Sequence, residues 1–440
     1  MERFDTIVIG GGPAGLMAAG RAAEIGERVL LVEKNDSLGV KLLLAGKRRC
    51  NLTNAEPDME TFLSRYGKNG RFLHGAFSRF EPREIRAFFD RQGIRTKVER
   101  GNRVFPDLPP EEATQGAQKV LNCLLLYCKK GKVRILRKSP VQAMKLKNGR
   151  VDRLVTAVEE LTADRYILAT GGQSYPKTGS TGDGYRLAAQ VGHKIIEPTP
   201  AIVPIKTRET WVKLARNFNL RNVRLTATVD GQKVDERFGE MEFTNFGVSG
   251  PIVMDLSSYV SDWMKPSEGR SCSALPTTAL PTALSTDLPT VNLILDLKPA
   301  LPLPALLSRV ERDFEKYEDR VFGRALVDLL PSALIPMILE LSDIPEDKPV
   351  SYISPEEKEE LASLLKNIVL TVNGLWSFDY AIVTKGGVCL TEVDPATLRS
   401  KLCENLYFAG EILDLNGPTG GFNLQVCWST GYVAGQGETF

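Results

Sequence analysis

The apolar residues are patterned in two ways along the chain. Near the amino terminus Thr6-Ile7-Val8-Ile9 is a short apolar run, the mark of a buried strand. Gly10-Gly11-Gly12-Pro13-Ala14-Gly15 follows, and the alanine-rich residues 13–25 predict a helix with Gly26 as its stop. Arg28-Val29-Leu30-Leu31-Val32 predicts a second strand ending at Glu33. Strand, turn, helix and strand in that order predict a parallel sheet. Residues 82–92 place Ile85, Phe88 and Phe89 on one helical face, and 113–128 also fit a helix. Residues 133–136, 141–146 and 151–158 suit a small β-meander turned by Asn148-Gly149. Arg165–Ala169 predicts another strand, closed by Thr170-Gly171-Gly172.

From about residue 194 the pattern changes. Pro198, Pro200 and Pro204 punctuate short strands, and 223–229 is β-rich with Asp230-Gly231 as its turn. Residues 267–291 have no helical or strand period and suggest a surface loop or insertion. Residues 304–366 are mostly helical in pattern and acidic. After 372 the β/α pattern returns, with a strand at 406–411 and a closing helix over 424–434. The predicted class is α/β: a Rossmann-type nucleotide-binding domain interrupted by an inserted β-barrel-like domain and a helical subdomain. The expected divisions are 1–193 with 371–440, 194–298, and 299–370.

Composition narrows the function. The 440 residues are 42% hydrophobic, which excludes a disordered or collagen-like chain. A net charge of +2 gives no global drive toward nucleic acid or an anionic membrane. Residues 41–105 are an exception, with 15 Lys/Arg against 7 Asp/Glu. With only His74 and His193 present, a His-based zinc site is not expected, and no metal is. His193 suits a structural role and His74 the surface. The seven cysteines include no C-x-x-C pair, so free thiols in a reducing cytoplasm are expected. Neither a signal peptide nor a membrane span is legible.

The spacing Gly10-x-Gly12-x-x-Gly15 carries the first chemistry. Gly10 permits the tight turn, Gly12 lets backbone approach a pyrophosphate, and Gly15 lets helix and strand pack closely. Pro13 and Ala14 open the helix whose N–H groups face that anion. Glu33 stands 23 residues beyond Gly10 at the end of the next strand, where a carboxylate meets ribose hydroxyls. The chain does not then alternate strands and helices as an NAD dehydrogenase would.

Further blocks resemble one family. These are Gly46-Lys47-Arg48-Arg49-Cys50-Asn51-Leu52-Thr53-Asn54, Arg103-Val104-Phe105-Pro106, and Ala169-Thr170-Gly171-Gly172 with Ser174-Tyr175-Pro176 and Thr178–Gly184. They continue with Phe243-Thr244-Asn245-Phe246-Gly247-Val248-Ser249-Gly250-Pro251, Phe408–Asp414, and Gly420-Gly421-Phe422-Asn423-Leu424-Gln425. Over nearly its whole length the chain resembles the bacterial flavoproteins of the HI0933 and YhiN type. That group includes proteins described as aminoacetone oxidases and BaiN-like bile-acid-pathway reductases. Two positions depart from its pattern: Arg48 stands where glycine is usual, and Asn245 where histidine is common. Asn does not titrate, so any acid–base step there would need another group.

The resemblance implies FAD as cofactor, with NADH or NADPH as a candidate transient co-substrate at the same face. It implies a cofactor cradle of Gly10, Gly12, Pro13, Ala14, Gly15, Glu33, Lys34 and Lys41. Gly46, Arg49, Cys50, Asn51, Val141, Ala169, Thr170, Gly171 and Gly182 join it, as do Gly410, Glu411, Asp414, Gly421, Phe422, Asn423 and Leu424. Arg49 could pair with phosphate or sit near the ring; the plainer alternative is a structural salt bridge. Cys50, without a partner cysteine, suits packing rather than redox chemistry. Glu411 and Asp414 could bond the ribityl chain or simply cap a helix. Tyr175, Asn245 and Arg49 are the candidate catalytic groups. The expected function is FAD-dependent hydride transfer with a small organic substrate and no nucleic-acid partner. The alternatives are a nucleic-acid-modifying flavoenzyme, suggested by residues 41–105, and a flavin-holding interaction protein without turnover.

Overall fold

The computed structural model describes residues 3–265 and 288–437. The chain divides into two compact units, Met1–Ala201 with Phe378–Phe440, and Ile202–Ser377.

The first unit is built on a seven-stranded sheet. Its first strand, β1 (Arg3–Ile9), has an almost continuous buried apolar run, as a strand covered on both faces requires. It pairs in parallel with β2 (Val29–Val32) on one side and with Glu160–Leu168 on the other. Arg134–Leu136 extends the sheet beyond β2, and Leu406–Phe408 pairs with the far half of Glu160–Leu168, both in parallel. The near half of that strand pairs antiparallel with the hairpin of Val141–Lys147 and Arg150–Thr156. Its turn residues Asn148 and Gly149 have φ of 52° and 72°, as a type I′ turn demands. The strands ending at Ile9, Val32, Leu168 and Phe408 therefore open their loops along one carboxyl edge, the place where doubly wound sheets bind ligands.

Helix α1 (Pro13–Glu24) starts with Pro13 at its first position and buries an alanine-rich face. The closing helix Phe422–Gln436 lies so close that a Cβ on Gly431 would come within 2.5 Å of the Ala14 carbonyl oxygen. A helix over 82–91, Pro82–Arg91, buries Ile85, Phe88 and Phe89 as its pattern predicts. The stretch expected as one helix from 113 is a 3-10 turn, Pro110–Gln115, running into the helix Gly116–Lys130.

The second unit contains a closed barrel of Ile205–Thr207, Gly247–Ser249, Gln232–Thr244, Asn219–Val229, Val291–Asp296 and Ile368–Leu375. Asp230-Gly231 turns its longest hairpin. Sequence patterning did not foresee the helix Pro251–Trp263, although Gly250-Pro251 is a reasonable opening signal. Helices Leu303–Lys316, Ile335–Leu341 and Pro355–Lys366 follow, the last with a capping box between Ser354 and Glu357. Their Leu306, Phe314, Leu361 and Leu365 share one core with barrel residues Leu225, Leu293 and Leu370. Against the expected breaks at 193/194 and 370/371, the strand Ile195–Ala201 pairs with Val383–Val388 in the first unit. The strand Ile368–Leu375 belongs to the barrel in the second.

Residues 266–287 of the expected insertion lie outside the described residues, and Val291 already begins a strand. Among the described residues six cysteines are free, no helix is long and apolar enough to cross a membrane, and no metal-holding cluster occurs.

Candidate cofactor site

The glycine turn sits at the carboxyl end of β1. Gly10 has φ +105°, and a Cβ on it would lie 2.5 Å from the Ala169 carbonyl oxygen. A Cβ on Gly15 would lie 1.8 Å from the Gly10 carbonyl oxygen, so no other residue fits there. Gly12 differs: a Cβ on it would meet nothing within 4 Å, and it is the N-cap of α1 with no side chain capping it. Open space thus stands in front of the helix amides beside Pro13 and Ala14. Glu33 is buried, and its carboxylate accepts from the Gly11 N–H at 2.7 Å and the Asn35 N–H at 2.8 Å. Lys34 donates to Thr181 and Asp183, which flank Gly182, the N-cap of the helix Asp183–Gln190. The segment leading into Val141 passes the same edge, because Ser139 and Lys138 donate to the carbonyls of Glu33 and Asn35.

A second cluster joins the two ends of the unit. Lys41 donates to Glu411 Oε2 at 2.7 Å and to Ser174 Oγ. Glu411 Oε1 accepts from Ser174 Oγ at 3.0 Å and from the Thr384 N–H at 2.8 Å. Ser174 and Thr384 are fully buried. Asp414 accepts from the Gly386 N–H and from Asn69, and burial raises its carboxyl above the usual carboxylate range. Gly410 donates its N–H to Thr430 Oγ1 of the closing helix. Ala169 donates to the Ile9 carbonyl, placing Thr170 and Gly171 beside the glycine turn. Thr170 Oγ1, Tyr185 Oη and Asn51 Oδ1 are buried polar atoms with no hydrogen-bond partner in the protein.

The loop after Gly46 is bent by residues that resist such bending. Lys47, Arg48 and Cys50 have φ of 56°, 70° and 62°. Non-glycine residues held there cost roughly 1 kcal/mol or more each, strain that tends to persist at functional sites. The loop is fastened on both sides. Ala117 donates to the Arg48 carbonyl, and Trp428 Nε1 donates to the Leu52 carbonyl at 2.8 Å. Thr53 Oγ1 bonds Gln425 Oε1 at 2.6 Å, and Asn54 Nδ2 reaches the Gly420 carbonyl. Cys50 is fully buried, and burial pushes its thiol far up, away from the reactive thiolate. The Arg49 guanidinium is ion-paired with Glu99 and stands 4.1 Å over the Phe105 ring.

At the closing helix, Gly421 is the N-cap and Phe422 accepts from Tyr66 Oη at 2.8 Å. The side chain of Asn423 is bonded to Gly417 through both its oxygen and its nitrogen, leaving the helix amides near Leu424 uncapped by any side chain. Tyr175 is half-buried in a left-handed conformation, φ 53° and ψ 62°. Asn245 is exposed at the turn between two barrel strands of the second unit. His193 is buried, bonds Ser400 Oγ through Nε2 at 2.7 Å, and faces Glu392 through Nδ1. Burial lowers its basicity.

The structure therefore brings the glycine turn, Glu33, Ala169–Gly171, the 46–54 loop and the 410–424 segment into the first unit, joined by direct bonds. Residue patterns missed Thr384, Asn69 and Tyr185. The pair Gly386-Gly387, inside the strand Val383–Val388 that carries Thr384, was a signal of close backbone approach there.

Comparison with known proteins fits this geometry. Residues 4–437 match the family model described as HI0933-like protein Rossmann domain. The chain is 32% identical over 432 residues to the 3-dehydro-bile acid delta(4,6)-reductase of Clostridium scindens, covering 98% of this chain and 97% of the relative. It is 29% identical over 432 residues to the ribosomal RNA dihydrouridine synthase of Haemophilus influenzae, covering 98% and 97%. The 3-ketosteroid delta1-dehydrogenase of Sterolibacterium denitrificans shares the fold, with a TM-score of 0.52 at 14% identity over 99% of each chain. The chain thus belongs to the HI0933-like family of Rossmann-fold FAD-dependent oxidoreductases.

Proposed function

We propose that the protein uses FAD to reduce a carbon–carbon double bond conjugated to a carbonyl group in a small organic substrate, with NADH or NADPH as the reductant. The observation that carries this is the convergence of the glycine turn, Glu33, Ala169–Gly171 and Gly410–Glu411 on one sheet edge. Two relatives whose names describe such reductions, of an unsaturated bile acid and of uridine, support the direction.

The residues fit the cofactor. A Cβ on Gly12 meets nothing, and Asn51 Oδ1 and Thr170 Oγ1 are buried without partners, as groups awaiting a polar ligand would be. When bound, FAD supplies the hydride chemistry. The amides of Pro13-led helix α1 and the space at Gly12 receive the diphosphate. Glu33 retains lone pairs for ribose hydroxyls after accepting its two backbone N–H groups. Lys34, Val141 and Gly182 border that end. Gly46, Cys50 and Asn51 form a wall, with Arg49 bracing it through Glu99. Lys41, Glu411 and Asp414 serve the ribityl and phosphate region. The amides of Phe422, Asn423 and Leu424, capped by no side chain, would offer stabilisation to negative charge on a bound flavin ring. Tyr175, the candidate catalytic group carried by the first unit, donates a proton to the substrate.

The test is anaerobic. Purified protein is reconstituted with FAD, mixed with NADH or NADPH, and then offered a panel of unsaturated ketones. Bleaching of the flavin followed by its recovery on adding a ketone is expected; a protein that takes up no flavin overturns the reading.

A second reading, reduction of uridine in RNA, is favoured by the excess of 15 Lys/Arg over 7 Asp/Glu in residues 41–105. Many-phosphate binding loses affinity steeply with salt. RNA binding with that slope, together with flavin re-oxidation by RNA and not by ketones, would select it.

A further inference from the structure

Outside the cofactor cradle, the outer face of the strained loop borders an open cavity of about 400 Å³, a volume suited to a small molecule. It is lined by Leu43 and Arg48 from the loop side, and by Thr114, Gln115, Gln118 and Lys119 from the helical segment that follows Pro110. Its charges are unequal. Lys119 is already neutralised by Glu112 at 2.6 Å. Arg48 is exposed, and no ion pair is formed by it among the described residues. One uncompensated guanidinium therefore governs the cavity, and its planar fork matches a carboxylate in two parallel hydrogen bonds.

The loop presents this group at an energetic cost. Arg48 holds φ 70°, and its carbonyl is fixed by the Ala117 N–H. The helix amides are not the anion donors here. The 3-10 turn Pro110–Gln115 runs directly into the helix, and the Gly116 N–H already bonds the Ala113 carbonyl. The binding groups are the side chains: the Arg48 fork, the Thr114 hydroxyl and the Gln115 amide, with Leu43 and Ala117 as apolar floor. Gln118 is occupied by its bond to Asn122.

We propose that this cavity is a binding site for a small monoanionic carboxylate, with Arg48 as its principal partner, separate from the cofactor cradle. A single net positive charge favours a monoanion over a phosphate dianion. An apolar floor favours a carboxylate with a hydrocarbon body over a hydrated inorganic ion.

Benzoate is the probe, and benzamide, its uncharged counterpart of similar shape, is the control. Each is titrated calorimetrically into the FAD-loaded protein at fixed ionic strength, with the flavin absorbance recorded in parallel. Benzoate should bind saturably with a Kd on the order of 1 mM, and benzamide about tenfold more weakly. Arg48→Gln should remove that tenfold preference, Arg48→Lys should retain part of it, and Lys119→Gln should weaken benzoate by about threefold or less. The flavin spectrum should not change. Equal binding of benzoate and benzamide, or full benzoate binding by Arg48→Gln, overturns the proposal. So do a preference for inorganic phosphate, a flavin shift that persists in Arg48→Gln, and no saturation by about 50 mM. Arg48→Lys keeps the test decisive if Arg48→Gln disturbs the loop, because it preserves the charge while losing the fork.

Discussion

The turn at Gly10–Gly15 and the loop at Gly46–Asn51 both belong to the first unit, but they are made differently. The first turns by omitting side chains: a Cβ on Gly10 or Gly15 would enter the backbone of a neighbour. The second turns with Lys47, Arg48 and Cys50 in left-handed conformations. It is held there by bonds donated by Ala117 and Trp428 and by one that Gln425 accepts from Thr53. Tight curvature can thus be secured by removing atoms or by external fastening. The two solutions should fail in different ways when mutated.

The largest effect is expected at Gly15→Ala. Its Cβ would sit 1.8 Å from the Gly10 oxygen, so strand and helix must part. A loss of about 3 kcal/mol or more is expected in denaturant unfolding, with flavin lost alongside. A mild effect there would mean that the glycine turn has slack and that the contrast is false. Next comes Thr53→Val, which keeps shape but strands the buried Gln425 oxygen. It should cost about 1–3 kcal/mol, and limited proteolysis should then cut first within 46–54. Equal protection of that loop in both proteins would show that the fastening is not what holds it.

Gly12→Ala separates folding from ligand binding. Nothing lies within 4 Å of the added methyl, so stability should stay within about 0.5 kcal/mol of the parent. Flavin affinity should nonetheless fall about tenfold, equivalent to about 1.4 kcal/mol, because the methyl occupies the space offered to the diphosphate. Unchanged affinity by fluorescence titration would move the diphosphate elsewhere. The smallest effect is expected at Arg48→Gly, which relieves one left-handed side chain and should stabilise the protein by about 0.5–1 kcal/mol. Flavin retention and the range of ketones reduced should both stay as in the parent, because Arg48 lines the separate cavity; a change in either, followed on a ketone panel, would place Arg48 at the cradle instead.

The legible parts of the site were those with local signatures. Gly10, Gly12 and Gly15 announce their turn by spacing, and Asn148-Gly149 its hairpin, because both needs are met within a few residues. The 46–54 and 420–425 blocks were visible as motifs, but the bonds between them were not. Thr53 to Gln425 spans 372 positions, and no periodicity encodes such a pairing. Ser174, Thr384 and Glu411 likewise meet only in three dimensions. Arg49 shows the converse. Its place in a motif suggested phosphate or ring contact, whereas its guanidinium is engaged by Glu99 and Phe105. The helices of 303–366 were recognised from their pattern, but their sharing of one core with the barrel was not, because an amphipathic face does not name its partner.

The sheet's Leu406–Phe408 strand and the Phe422–Gln436 helix have a consequence for biosynthesis. Loop 46–54 is anchored to residues that leave the ribosome more than 360 positions later. During translation the dinucleotide turn can therefore form early, while its opposite wall waits for the last tenth of the chain. On the proposed cofactor placement, flavin capture would be an event of chain completion, and a nascent chain arrested before residue 406 would display the turn without the enclosure.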